Sequence, residues 1–153
     1  MLLEDTQVFQ IWMTKKMIKC YSDLIQLDSF IDRYHYLKLH GVVGESTFGY
    51  DRWINQELYR SGKWKRTRSR IIIRDEACDL GIDGYELSDN IVIHHINPIT
   101  LEDIEEERDI VFNPENLISC SQRTHKAIHF GDENLLPKQY TARKPNDTCL
   151  WRN

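Results

Sequence analysis

The stretch Ile91-Val92-Ile93-His94-His95-Ile96-Asn97-Pro98 decides how the rest of the chain is read. Its apolar, β-branched run predicts a strand over Ile91–His95, and Pro98, which has no N–H for a ladder, closes it. Two imidazoles therefore arrive side by side at a strand end. Downstream, Arg123-Thr124-His125-Lys126-Ala127-Ile128-His129 sets two more at a spacing of four. That spacing puts both on one face of a helix, which Gly131 stops. Four of the six histidines fall in this constellation. One imidazole from the strand and two from the helix make a three-nitrogen metal site, and the remaining histidine of the pair is left for chemistry.

Working outward, Tyr85-Glu86-Leu87 reads as a short strand and Ser88-Asp89-Asn90 as a turn, so residues 85–95 are expected to form a β-hairpin. The Cys78–Gly84 segment is turn-rich. Helices are expected over Trp64 to about Arg74, over Gly49 to about Ser61, and over Ser29 to Leu39. The second offers Phe48, Trp53, Leu58 and Tyr59 to a core. The third carries a capping signal in Ser29 and Asp32 and an apolar face in Phe30, Tyr34 and Leu37, and Gly41 and Gly44 end it. The acidic run over residues 101–109 predicts a short helix in a surface insertion, and Asn116 to Ser119 leads into the histidine helix. The fold class is α+β. Its parts are a helical N-terminal extension (residues 1–60), a core with a basic helix (61–131) and an irregular tail (132–153) that Trp151 is expected to dock.

The 153 residues suit one domain. No apolar run approaches the roughly 18 residues of a membrane span. The opening Met-Leu-Leu-Glu-Asp lacks the basic and apolar regions of a signal peptide. Cys20, Cys78, Cys120 and Cys149 are scattered without a CxxC pair, so a reduced, cytoplasmic protein with buried thiols is expected. Net charge is −4, yet Arg60, Lys63, Lys65, Arg66, Arg68, Arg70 and Arg74 fall in one stretch with no acidic residue. Those seven leave −11 for the rest, so the molecule is polarised, and a basic stretch just before the histidine core reads as a phosphate-binding surface. Trp64 within it is read as a core residue. His35 and His40, on or beside the Ser29–Leu39 helix, are read as packing or surface residues. HxxxH occurs in zinc proteases, but Lys126 stands where they carry a glutamate base.

A His-His pair, an asparagine, then HxxxH on a helix resembles the HNH nuclease family, whose core is the ββα-metal fold. The resemblance spans about residues 70–131 and is closest to the metal site of the DNase colicins, with nine residues from Asn116 to His125 and four to His129. The His95-to-Asn116 gap is longer, by the acidic segment. Arg74-Asp75 and Asn116-Leu117 are similar to phage-encoded HNH endonucleases. Many members bind a structural zinc through two CxxC pairs. Here Cys78 matches one place, and Gly81, Ser121 and Thr124 occupy the others, so apolar packing is expected to hold the core instead.

The resemblance implies a metal-dependent endonuclease hydrolysing DNA. It assigns His94, His125 and His129 to one divalent metal ion and His95 to the general base, and strand alternation agrees with splitting the pair. Asn116, preferred over Asn113 by spacing, would orient the loop or the His95 ring. Three neutral nitrogens favour Mn, Ni, Co or Zn over Mg in affinity, with Mg a candidate on availability. Products would carry 5′-phosphate and 3′-hydroxyl ends. The partner is read as double-stranded DNA. A rival reading has the same fold as a DNA-binding accessory module of a phage packaging or restriction machine, and a second rival is an RNase.

Overall fold

The His-His run forms a strand, β1 (Val92–His95), but not with the partner expected from the sequence. β1 pairs antiparallel with β2 (Leu117–Cys120), Val92 opposite Cys120 and His95 opposite Leu117. The hairpin over residues 85–95 is thus corrected: Glu86 makes one isolated bridge to Cys78, and Asn90 turns the chain with a φ of 48°. Burial explains the choice. Leu117-Ile118-Ser119-Cys120 is buried at every position, whereas Glu86 is exposed between two half-buried neighbours. A strand covered on both faces shows no polar alternation, so its four residues read as the approach to a helix.

The structure, a computed structural model, describes residues 18–39 and 52–138, with the backbone alone for 52–55. The expectations for Phe48, Trp53, His40, Gly41, Gly44, Gly49, Cys149 and Trp151 lie outside the described residues or side chains. The helices are α1 (Tyr21–Leu24), α2 (Phe30–Leu37), α3 (Arg52–Arg60), α4 (Gly62–Arg74), α5 (Leu101–Glu105), α6 (Asp109–Phe112) and α7 (Gln122–Phe130). The protein is therefore a mixed α+β structure, mostly helical around a two-stranded antiparallel sheet. Serine hydroxyls cap three of the helices: Ser29 accepts from the Asp32 N–H, Ser61 from Trp64 and Ser121 from Thr124. Each satisfies a first-turn N–H that has no partner within its helix. Gly131 ends α7 at a φ of 66°, where a Cβ would stand 2.8 Å from the Leu39 carbonyl oxygen. No described helix is long and apolar enough to cross a membrane.

The sheet divides two apolar clusters, because alternate side chains leave opposite faces. Val92, Ile118 and Cys120 face α2 and α7 with Tyr34, Leu37, Ala127 and Ile128. Ile93 and Leu117 face α4 and the insertion with Trp64, Ile71, Ile104 and Val111. The acidic segment is thus more than a surface insertion. Its glutamates are exposed, but Ile104 and Val111 on its inner side are buried. A capping box of Thr100 and Asp103 and the Arg108 contacts to Glu102, Asp103 and Glu106 hold its shape.

Buried polar groups fix the layers, so apolar packing does not hold the core alone. Asp75, 3 % exposed, accepts from the Ser119 N–H of β2 at 2.7 Å and from Arg74 Nε at 2.7 Å. Arg74 donates onward to the Pro114 and Leu117 carbonyls and lies 3.4 Å above the Tyr21 ring. The Arg-Asp and Asn-Leu pairs singled out in the sequence therefore meet. Where a zinc knuckle would stand, the buried Asp79 carboxylate accepts from Thr124 Oγ1 at 2.6 Å and from the Ser121 N–H at 3.1 Å. It ties the 3-10 turn Asp79–Gly81 to the start of α7 without a metal. Arg33 of α2 is buried and donates to the carbonyls of Ile25, Leu27, Leu80 and Gly81, docking the N-terminal helices on that turn.

Candidate metal centre

His94 leaves β1 on the side of α7, and its ring stands 5.3 Å from that of His125 and 5.2 Å from that of His129, centroid to centroid. The nitrogens these three residues can offer lie within 4.8 Å of one another. His125 Nε2 and His129 Nε2 are 3.1 Å apart. Zinc–nitrogen bonds of about 2.0–2.1 Å put tetrahedral neighbours roughly 3.3 Å apart, so the group needs little movement to close on an ion. His94 is 3 % exposed and its Nε2 is buried without a hydrogen-bond partner. A buried ring nitrogen left unmatched costs roughly 1–3 kcal/mol, which a bound cation would remove. The observed residues fit a metal ion.

The ring charges agree with that use. Burial first, then the neighbouring charges of His125, His129, His95 and Lys19, hold His94 well below its ordinary pKa. Burial and then His129 and His95 push His125 down to about 4, and burial lowers His129. All three are therefore neutral near pH 7, the form that binds metal.

His95 leaves β1 on the opposite side. Its Nε2 lies 3.0 Å from the Val111 carbonyl oxygen, which can only accept, so Nε2 carries the proton and Nδ1 is the acceptor. Burial lowers its pKa to about 4, against the opposing pull of the Val111 hydrogen bond. Trp64 stacks on the ring at 5.5 Å with planes 23° apart. Trp64 is 4 % exposed, so the core reading of that residue stands and its packing partner is the candidate base.

Asn116 is fully buried, and none of its side-chain hydrogen bonds goes to His95. Its Oδ1 accepts from the Asn97 N–H and from Asn97 Nδ2, both at 2.7 Å, and its Nδ2 donates to the Ile110 carbonyl at 2.9 Å. Of the two roles open to it, holding the loop is the one observed. The effect reaches His95 through the chain, since the residue after Ile110 is Val111, whose carbonyl orients the ring. Asn113 caps the turn Pro114–Asn116 instead. Val111 and Asn97 were missed in the sequence. A backbone carbonyl leaves no side-chain signal, and Asn97 reads as an ordinary strand-ending residue before a proline.

The seven basic residues are not equivalent. Arg74 spends its donors within the fold, Arg68 donates to the Ile91 carbonyl at 2.9 Å, and Lys63 pairs with Glu107 at 2.8 Å while lying over Phe112. Arg60, Lys65, Arg66 and Arg70 remain exposed. Lys65, Arg66, Ser69 and Arg70 line an open groove on the face of α4 turned away from Trp64, Thr67 and Ile71. His35 is exposed and reaches Glu133 at 3.5 Å, as a surface residue would.

No family model, curated protein or solved structure matches the chain.

Proposed function

We propose that this protein is a metal-dependent endonuclease of the HNH type, hydrolysing DNA phosphodiesters. The observation that carries the reading is His94 Nε2, buried without a protein partner and facing the two imidazoles of α7. β1, β2 and α7 follow one another as the strand, strand and helix of a ββα-metal core, with the acidic insertion between the strands.

One divalent ion held by His94, His125 and His129 would polarise the phosphoryl group and stabilise the leaving 3′ oxygen. The chain does the rest. His95 Nδ1 takes a proton from the attacking water. The Val111 carbonyl fixes the tautomer that makes this possible and stabilises the imidazolium that follows. Trp64 keeps the ring from turning. Asn116 and Asn97 hold the loop and, through Ile110, the carbonyl that aims the base. Lys65, Arg66, Arg70 and Arg60 meet phosphates away from the cut. Such contacts position a duplex without reading its sequence.

The test is conversion of supercoiled plasmid to nicked and linear forms with Mg, Mn, Ni, Co or Zn, against chelator and a matched RNA. Metal-dependent nicking of DNA supports the reading. Duplex binding without nicking under every metal would favour an accessory module, and preferential cutting of RNA would move the substrate.

A further inference from the structure

Lys19 is held beside the metal centre by its backbone, in a segment the sequence leaves featureless. Asn97 Oδ1 accepts from the Ile18 and Lys19 N–H groups at 3.0 and 3.1 Å, and Asn97 Nδ2 donates to the Lys19 carbonyl at 2.7 Å. Asn97 is only three residues from His94 and is itself clamped by Asn116. The next residue is tied as well, since the Cys20 N–H donates to Tyr36 Oη at 3.0 Å. The segment is thus pinned from two sides, and neither tie uses the lysine side chain.

That side chain is half-buried, with Nζ 5.5 Å from the centre of the Tyr36 ring. Its charge is felt at His94. Among the described residues no carboxylate makes an ion pair with it. A partly desolvated ammonium without a counter-ion is unfavourable, and more so beside three neutral imidazoles that gather a divalent cation. Two neighbouring positive centres are compatible when an anion lies between them. A phosphodiester is such an anion, and a lysine meets it as a point charge.

We propose that Lys19 is a substrate-binding residue of this centre, its ammonium contacting the scissile phosphate or the one next to it. The proposal rests on the endonuclease reading for its substrate, not for the anion. Because the backbone clamp does not involve the side chain, Lys19→Ala leaves the loop in place.

The experiment compares full-length wild type, Lys19→Ala and Lys19→Arg. Metal affinity is measured by calorimetry with Mn, and cleavage of a duplex oligonucleotide is followed across a salt series. For Lys19→Ala the expected results are a KM raised roughly tenfold or more, as loss of one charge-assisted hydrogen bond implies, with Mn affinity unchanged or tighter. The salt slope should flatten by about 0.9, one phosphate contact, and Lys19→Arg should restore most of both. A purely structural lysine would instead loosen Mn binding and spare the slope, and either that pattern or an unaltered KM overturns the proposal. If the wild type cuts no DNA, the hydrolase reading fails separately. Inorganic phosphate titrated into the Mn-loaded proteins then decides, with binding lost in Lys19→Ala upholding the proposal and equal binding overturning it.

Discussion

At the residue scale, adjacency in sequence gives two imidazoles different surroundings. His94 and His95 share a peptide bond, yet one faces α7 and the other faces Trp64, because neighbours on a strand point opposite ways. His95→Ala is therefore expected to lower hydrolysis by on the order of 10²–10⁴-fold, the usual worth of a positioned base. Metal affinity should stay within a few-fold, since the three ligands do not include it. Single-turnover cleavage read beside Mn calorimetry checks both halves, and wild-type rates in this variant would return the base role to another group. The grouping of His94, His125 and His129 was legible from residue type and spacing. The Val111 carbonyl was not, because every residue has one and only folding chooses which is near a ring.

At the element scale, the site depends on where α7 lies, since α7 carries two of the three candidate ligands. Three ties place it. Asp79 holds its first turn, the Leu39 N–H donates to the Ile128 carbonyl at 3.0 Å, and Gly131 lets Leu39 close over its end. Gly131→Ala adds a Cβ at 2.8 Å from the Leu39 oxygen and forces alanine into left-handed backbone. The expected loss is about 1–3 kcal/mol, read as a lower urea midpoint at unchanged slope. A midpoint equal to wild type would mean that the close approach is relieved without cost. The end of α7 was legible because Gly131 is a strong stop signal, whereas the Ser121 cap at its start was found only in the structure. β2 was not, because burial on both faces removes the alternation that marks a strand.

At the scale of the whole molecule, the three-histidine group and the basic groove lie on different elements. Bridging β1 to α7 ties the sheet to the helix layer, so loading should stabilise the fold. At a hundred-fold excess over Kd the gain is about 2.7 kcal/mol, or roughly 5–10 °C in Tm for a chain of this size. Thermal scans with Zn or Mn against chelator test this, and coincident scans would argue against an ion between these elements. The proposed phosphate contacts lie on the outer face of α4. Neutralising Lys65, Arg66 and Arg70 together should flatten the slope of log K against log salt by about 2.7 if each meets one phosphate, while Mn affinity stays unchanged. Arg68 and Arg74 are poor choices for that experiment, because both are hydrogen-bonded to backbone carbonyls inside the fold. An unaltered slope would make the groove on α4 a solvated face.

The sequence alone determined what local chemistry can encode: the imidazole spacing on α7, the Ser29 cap of α2, the strand ending at His95 and the concentration of positive charge on α4. Each depends on residues close together in the chain. Only the tertiary structure decided which segment pairs with β1, which basic residues remain open to solvent, and that Asp79 stands where a structural zinc was the alternative. It also brought Lys19 to Asn97, across nearly eighty residues. Those outcomes depend on which buried groups find partners, and a buried N–H or carboxylate is matched by proximity in space, which the order of residues does not display.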